Sequence, residues 1–256
     1  MTLLVTGGDG TLGRELVKLL PDSVHPPHAQ LDISDRKAVD AFLKGSKPDM
    51  VIHCAALTGV RECEDNKKLA WTVNVEGTEN MIQGAEALSK DCYFVYVSTA
   101  CVFHGDRGNY GESDPPYPKN YYALTKLLGE AAVRHSRLKQ WLVIRTNFVG
   151  REKWPYPKAF VDRYGTYLFA DDVARAVMEV TSKRLDGILH VTGSRKLSMF
   201  ELARMTTPDV EPMTLGSYRG PPLTVDMTLR SERIPPFRIG TEMPDQAPGG
   251  TQAAGP

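Results

Sequence analysis

The chain has 256 residues, 41% of them hydrophobic and 24% charged, which fits one globular unit or one domain with a small annex. Lys+Arg and Asp+Glu both count 31, so no net charge favours nucleic acid or an anionic membrane, and we expect neither partner. No stretch approaches the ~20 apolar residues of a membrane span. We also expect no signal peptide before the first strand, and therefore a cytoplasmic protein.

The four cysteines show no Cys-x-x-Cys pairing, and no histidine stands at metal-ligand spacing from them. This pattern predicts buried or free thiols in a reducing compartment, and no metal site. The cysteines are Cys54, Cys63, Cys92 and Cys101.

The chain begins with an apolar run at residues 1–6, which predicts a short buried strand. Gly7, Gly10 and Gly13 follow at once, and a helical pattern of leucines comes next. A strand, a glycine loop and a helix in succession form the context of a dinucleotide fingerprint, because the backbone can approach a pyrophosphate and the helix N-terminus offers free N–H donors. The spacing differs from the commoner G-x-G-x-x-G, so a tight turn without a ligand is the alternative interpretation.

A weak second strand is predicted around residues 23–25. An acid about 20 residues beyond the glycine loop binds the adenosine ribose in the general pattern. Asp32 fits that count, but it follows the predicted strand end, where an acid would more naturally meet the adenine. The strand end carries no carboxylate and Arg14 lies beside the loop. These two features slightly favour a cofactor with a 2′-phosphate, unless Arg14 is only a solvated helix residue.

The middle of the chain continues the alternation of helices and strands. Ser34 or Asp35 is expected to cap a helix, a third strand is predicted at residues 48–56, and a long helix at residues 70–88. Asn74, inside that helix, is either a surface amide or a buried one bonded to backbone near the active site.

A fourth strand, residues 92–99, ends in the hydroxyls of Ser98 and Thr99. The helix that begins after Asn120 places Tyr122 and Lys126 one turn apart. A nearby ammonium favours the phenolate, so such a tyrosine could exchange a proton with a carbonyl or alcohol near neutral pH. This spacing also fits a packed tyrosine and a solvated lysine, and the upstream glycine loop is what favours the catalytic interpretation.

Downstream, a fifth strand at residues 140–145 puts the Tyr122 helix between two strands, as βαβ winding requires. The predicted fold is α/β: a Rossmann-like doubly wound parallel sheet with a small irregular C-terminal substrate lobe. The remaining predictions are a helix from residue 169, a strand at 187–191 and a short helix at 198–205. The expected domains are 1–150 (an NAD(P)-binding domain completed by about 166–194), 151–165 with 195–240 (the lobe) and 241–256 (a disordered tail).

Together these motifs resemble the extended short-chain dehydrogenase/reductase family and, within it, the dTDP-4-dehydrorhamnose reductases. The matching stretches occur in the family's order over about the first 150 residues. They are residues 6–16, 31–35, 53–58, 73–78, 97–103 and 118–126.

The resemblance implies an NADP- or NAD-dependent reductase that delivers hydride to the C4 keto group of a nucleotide-linked deoxysugar. It implies that Tyr122 supplies the proton, that Lys126 lowers its pKa and holds the nicotinamide ribose, and that Thr99 bonds the reacting oxygen. The implied pyrophosphate cradle consists of Gly7, Gly10, Thr11, Leu12 and Gly13. Asp32 and Ile33 would flank the adenine, and Ala55, Ala56 and Leu57 would line the cofactor.

The chain departs from the family pattern on the sugar side. The family's insert between Gly150 and Phe169 is shortened here, and Ala100 and Cys101 replace an Asp and a Tyr. Trp154, Tyr156 or Phe160 could stack on a base or belong to the core of the lobe.

Two other functions stay open. One is a nucleotide-sugar 4-epimerase or dehydratase with tightly bound NAD, although Ala100 argues against dehydratase chemistry. The other is a non-catalytic NADP-binding regulatory subunit resembling the methionine adenosyltransferase beta subunit. A homodimer is the oligomer that we consider.

Overall fold

The computed structural model describes residues 1–240, so the predicted tail at 241–256 lies outside the described residues. The strands are β1 Leu3–Thr6, β2 Met50–His53, β3 Tyr93–Thr99, β4 Trp141–Thr146, β5 Phe148–Val149, β6 Lys158–Phe160, β7 Tyr164–Gly165, β8 Leu168–Phe169, β9 Gly187–His190, β10 Leu197–Ser198 and β11 Glu211–Met213. The helices are α1 Thr11–Leu19, α2 Arg36–Ser46, α3 Val60–Asp65, α4 Lys67–Trp71, α5 Gly77–Leu88, α6 Tyr121–Arg134, α7 Ala170–Ser182 and α8 Met199–Arg204.

A five-stranded parallel sheet, in the order β1-β2-β3-β4-β9, forms the centre of the molecule. Its strands are apolar on both faces, because helices cover both sides. Leu3 and Val5 pack on the side of α1 and α7, while Leu4 packs on the side of α2 and α5. The predicted α/β doubly wound fold is therefore confirmed.

The sheet places the carboxyl ends of its strands at one edge. Thr6 at the end of β1 lies beside His53 of β2, and Thr99 at the end of β3 lies beside Thr146 of β4. Ligands of open parallel sheets bind at this edge, so the fold brings four chain segments to one potential site.

The predicted second strand is reduced to a single bridge between Val24 and Leu4. The Val24 N–H donates to the Leu3 carbonyl at 2.8 Å, and the Val5 N–H donates to the Val24 carbonyl at 2.8 Å. Pro26 and Pro27 follow directly, and prolines have no N–H with which to continue a ladder.

The predicted helix at 70–88 is also wrong in detail. It is divided into α4, a π-helical turn at Thr72–Glu76, and α5. The wider π turn has no distinct apolar period in sequence, and it turns Asn74 into the interior, where the residue is 1% exposed. The short helix α3 before it was not predicted.

Several predicted caps are present. Asp35 accepts hydrogen bonds from the N–H groups of Lys37 and Ala38 at the start of α2. Asn120 accepts from the Ala123 N–H at 2.9 Å, which begins α6. These side chains satisfy backbone donors that a helix start leaves free.

Residues 151–165 and 195–240, here named the lobe, contain α8 and short strand pairs. Strand β6 pairs with β11, and β7 pairs with β10. Apart from these pairs the lobe is irregular, in line with its many prolines. None of the helices formed by residues 1–240 is both long and apolar enough to cross a bilayer.

Candidate active site

A cleft of about 1110 Å³ runs along the carboxyl edge of the sheet. Its wall contains every predicted site residue except Lys126, which lies one layer behind it. The predicted residues on the wall are Gly7, Gly10, Thr11, Leu12, Gly13, Asp32, Ile33, Ala55, Ala56, Leu57, Thr99 and Tyr122.

The glycine loop is packed tightly against the end of β2. Gly7 has a φ of +69°, and a Cβ on it would approach the Ala55 nitrogen to 2.7 Å. A Cβ on Gly13 would lie 2.0 Å from the Gly7 carbonyl oxygen. Gly10 differs, since its backbone is extended and its Cβ would lie 3.2 Å from that oxygen. Gly7 and Gly13 are required by the fold itself, whereas Gly10 faces the cleft.

The N-terminus of α1 is open to an anion. No side chain of the described chain caps this helix, so its first N–H groups remain available beside Thr11 and Leu12 on the cleft wall. Free amides and the positive end of the helix dipole are what a pyrophosphate group needs. The residues present therefore fit a dinucleotide cofactor.

The far end of the cleft carries Asp32 and Ile33. Asp32 accepts hydrogen bonds from the Ser34 hydroxyl at 2.7 Å and the Ser34 N–H at 2.9 Å. The bond from the Ser34 hydroxyl is the main cause of the lowered pKa of Asp32. Arg14, nearer the glycine loop, donates to Glu152 at 3.1 Å, and both side chains are largely exposed.

Asn74 is a functional residue whose role the sequence left open. It accepts a hydrogen bond from the Leu57 N–H at 2.7 Å and donates to the Leu57 carbonyl at 2.9 Å. It also donates to the Thr125 hydroxyl on α6 at 2.9 Å. One buried amide thus ties the cofactor wall after β2 to the helix that carries Tyr122.

Tyr122, on the first turn of α6, lies on the cleft wall with Thr99 at the end of β3, close enough for the Thr99 hydroxyl to act on its phenol. Burial is the largest influence on its phenol and raises its pKa, while the Thr99 hydroxyl acts in the opposite direction. The expectation that Lys126 lowers the pKa of Tyr122 is not met in the protein alone. The phenol therefore keeps its proton at neutral pH and can act as a donor.

Lys126 is 3% exposed, and its ammonium lies 4.1 Å from the centre of the Tyr96 ring. Burial lowers the pKa of Lys126 to about 8, and the neighbouring Cys54 and Glu130 oppose this shift. No ion pair engages this ammonium within residues 1–240. It is a charged donor behind the wall, near Tyr122 in the helix.

A buried ion pair and a hydrogen bond connect helix α6 with strands β4 and β3. Glu130 accepts hydrogen bonds from Arg145 at 2.7 Å and from the Ser98 hydroxyl at 2.5 Å, and both ionic side chains are 1% exposed. Ser98 is thereby occupied, which leaves Thr99 for the cleft. The signals in the sequence were an arginine in an otherwise apolar strand and a glutamate one turn after Lys126.

The aromatic residues of the shortened segment separate into two groups. Trp154 and Tyr156 line the cleft, with their rings 5.9 Å apart. Phe160 packs edge-on against Tyr218 in the lobe, with ring centres 5.5 Å apart.

A glycine loop on a parallel sheet, with a protonated Tyr122 and Thr99 in the same cleft, defines an NAD(P)-dependent oxidoreductase of the extended short-chain dehydrogenase/reductase type. The family model described as RmlD substrate binding domain matches residues 1–214, and the chain belongs to this family of nucleotide-sugar reductases.

The similar proteins include reductases and a subunit of another enzyme. The chain is 31% identical over 222 residues to a dTDP-4-keto-6-deoxy-D-glucose reductase of Streptomyces niveus, covering 79% of this chain and 76% of the relative. It is 29% identical over 258 residues to methionine adenosyltransferase 2 subunit beta of Xenopus tropicalis, covering 86% and 75%. A solved structure of a dTDP-4-dehydrorhamnose reductase from Clostridium acetobutylicum superimposes with a TM-score of 0.82, 30% identity and 90% of each chain covered.

Proposed function

We propose that the protein is an NAD(P)H-dependent reductase of a nucleotide-linked 4-keto-deoxysugar. The observation that carries this proposal is the buried Tyr122 phenol, which keeps its proton and shares with Thr99 the cleft that also holds the glycine loop. A group that must protonate a ketone oxygen has to hold its proton at the working pH, and burial of Tyr122 ensures that.

When bound, the nicotinamide cofactor supplies the hydride that adds to the carbonyl carbon. The Thr99 hydroxyl holds the ketone oxygen, and Tyr122 donates its proton to that oxygen as negative charge develops. The products are an alcohol and a tyrosinate, which Lys126 stabilises until water returns the proton. Gly7, Gly10 and the α1 N-terminus hold the pyrophosphate, and Lys126 also bonds the ribose.

The test is turnover of a substrate panel. Purified protein is incubated with dTDP- and UDP-linked 4-keto-6-deoxysugars and with NADPH or NADH, and the loss of reduced cofactor is followed. We expect reduction of at least one keto-sugar, and no reduction of the matching 4-hydroxy sugars. An interconversion of C4 epimers without added cofactor would instead support a 4-epimerase.

A regulatory subunit is the second candidate, because one relative of comparable identity is named as a subunit of another enzyme. Tight NADPH binding without turnover of any sugar in the panel would favour this function. We place the protein in the cytoplasm, where its four cysteines, all free in the structure, would stay reduced.

A further inference from the structure

Arg163, just before strand β7, is a buried cation on the cleft wall. It is 8% exposed. Its Nε donates to the Thr224 carbonyl at 3.0 Å, but its two terminal nitrogens contact only thioether sulfurs. These are the sulfur of Met199 at 3.5 Å and the sulfur of Met227 at 3.9 Å. Within residues 1–240 no carboxylate lies within 4.0 Å of the guanidinium.

This environment is unusual for a buried arginine. A thioether is a weak acceptor, and a buried charge is costly unless an opposite charge or strong hydrogen bonds offset the cost. Arg145 provides the comparison inside the same molecule, since its guanidinium is paired with Glu130 at 2.7 Å. Arg163 lacks such a partner although it lines a large cleft.

Tyr167, which follows strand β7 in the chain, provides an independent observation. It lines the same cleft, is 3% exposed, and its hydroxyl has no hydrogen-bond partner in the described chain. Tyr167 packs in the same buried cluster as Met227, whose sulfur contacts Arg163, so the two groups share a neighbour. An unsatisfied hydroxyl beside an unpaired guanidinium matches the donors that bind a phosphoryl or carboxylate group.

The position of this pair relates it to the reacting end of the cleft. The Met227 sulfur that contacts Arg163 also lies 3.6 Å from the Cys101 sulfur. Cys101 is two residues beyond Thr99, and its N–H donates to the Thr99 hydroxyl oxygen at 3.1 Å. Arg163 is therefore separated from the Thr99–Tyr122 pair by only two sulfur side chains. The glycine loop lines the same cleft from the end of β1.

We propose that Arg163 and Tyr167 form an anion-binding subsite for the substrate, and that it takes the diphosphate that joins sugar to nucleoside. This assignment rests on the proposed function, since a nucleotide-linked sugar carries such a group a few atoms from its reacting carbon. A carboxylate on the sugar has the same chemistry and is the other source of an anion. Two phosphoryl groups offer more acceptor oxygens to the guanidinium and phenol than one carboxylate does.

The experiment is calorimetric titration with dTDP, UDP and thymidine in the presence of saturating NADP⁺, which keeps the nucleotides out of the cofactor's own pyrophosphate site. Tyr167→Phe removes only the unpartnered hydroxyl, and we expect dTDP or UDP to bind about tenfold more weakly. Arg163→Met, which resembles its thioether neighbours, should weaken binding by about 10²-fold. Thymidine carries no phosphate, so its affinity should be the same in all variants. Arg134→Met, at the exposed end of α6, is the matched control and should bind like the wild type.

A purely structural role is separated by thermal unfolding. Removing an unpartnered hydroxyl or an unpaired buried charge should leave the melting temperature unchanged or raise it. If Arg163→Met fails to fold, the nucleotide affinity of Tyr167→Phe relative to the wild type alone tests the subsite. Equal dTDP and UDP affinities in the wild type and both variants would overturn the subsite. Glucuronate, a sugar carboxylate, is titrated in parallel. If the variants lose glucuronate affinity while nucleotide affinity is unchanged, the anion is a carboxylate and the diphosphate assignment is overturned.

The two proposals fail in different ways. If the variants lose dTDP or UDP affinity while the wild type reduces no keto-sugar, the reductase assignment falls and the subsite stands. If keto-sugars are reduced with the same KM by the wild type and both variants, the subsite falls and the reductase stands.

Discussion

The Tyr122 phenol shows how one side chain is prepared for proton transfer by its surroundings. Burial disfavours the phenolate, and the Thr99 hydroxyl only partly offsets this. In the proposed mechanism the proton is therefore present when a ketone arrives, and the charge of Lys126 would stabilise the phenolate only after that proton has left. For the reduction direction, this order of events is what general acid catalysis requires.

Replacing Tyr122 with Phe should lower turnover of a keto-sugar by roughly 10²–10⁴-fold, because the proton donor is lost. NADPH affinity should be nearly unchanged, since the aromatic ring remains. Tyr121→Phe, one residue earlier, is the control and should retain full turnover. A Tyr122→Phe enzyme as fast as the wild type would remove Tyr122 from the chemistry.

Lys126 predicts a pH dependence of cofactor binding. Its pKa in the free protein is about 8. Below that pH the ammonium is already present for the ribose hydroxyls, so affinity should be constant. Above it, binding must first restore a proton, and NADPH affinity should fall by up to about tenfold per pH unit. Titrations across this range should show the decline in the wild type. Lys126→Met should bind more weakly with no such decline, and a decline that persists in it would point to another group.

Substitutions at two glycines should distinguish a loss of cofactor contact from a loss of folding stability. Gly10→Val keeps an ordinary extended φ and makes one tight contact, 3.2 Å to the Gly7 carbonyl oxygen, so stability should fall less than in Gly13→Ala, while NADPH affinity should fall tenfold or more, about 1.4 kcal/mol. Gly13→Ala is the companion variant, because its Cβ would lie 2.0 Å from the Gly7 carbonyl oxygen and should lower the melting temperature. Calorimetry and thermal unfolding measure the two effects. Unchanged NADPH affinity in Gly10→Val would move the pyrophosphate elsewhere.

The choice between NADPH and NADH is also decided by a few side chains. We expect NADPH to bind at least as well as NADH for two reasons. The residues directly after Val24 include no carboxylate that would repel a 2′-phosphate, and Arg14 lies on the cleft wall. Arg14→Gln should weaken NADPH binding and leave NADH binding unchanged. A clear preference of the wild type for NADH in parallel titrations would indicate that Asp32 reaches the ribose.

At the scale of elements, strands β3 and β4 and helix α6 are joined by the ion pair between Glu130 and Arg145. Removing one member leaves the other charge buried without compensation, which typically costs about 3–5 kcal/mol. Glu130→Ala should therefore lose this much in urea unfolding. Lys183→Ala, which breaks the exposed pair with Glu179 on α7, is the control and should change stability by less than about 1 kcal/mol.

The same variant has a second readout. The charge of Glu130 raises the pKa of Lys126, so Glu130→Ala should shift the pH-dependent loss of NADPH affinity to lower pH. If both stability and the pH profile match the wild type, the ion pair does not support the site. Rescue by Glu130→Asp would show that the carboxylate, and not the side-chain length, is what matters.

At the scale of the whole molecule, the features that could be predicted from sequence depend on residues close together in the chain. Caps such as Asp35 and Asn120 act over three residues, and both are present. The fold class followed from the succession of short apolar strands and helical patterns. The prediction of a strand around Val24 was wrong because tertiary pairing, and not local propensity, decides how far an edge strand extends.

The parts that could not be predicted depend on residues brought together by packing. The π turn has no apolar period of its own, so the inward orientation of Asn74 was undecided. The bond between Ser98 and Glu130 joins residues 32 positions apart. The surroundings of Arg163 come from Met199 and Met227, in separate segments of the lobe whose arrangement no local pattern indicates.

The lobe shares one apolar cluster with the segment after β3 and with helix α6, which limits how the molecule can move. Phe103 and Ala123 pack in the same buried cluster as Leu202 and Met227 of the lobe. A hinge-like swing of the lobe would expose this cluster to water, at a cost that grows with the apolar area uncovered. Ligand exchange should then proceed by local movement at the rim, near the half-exposed Trp154, on the time scale of loops and not of domain rotation.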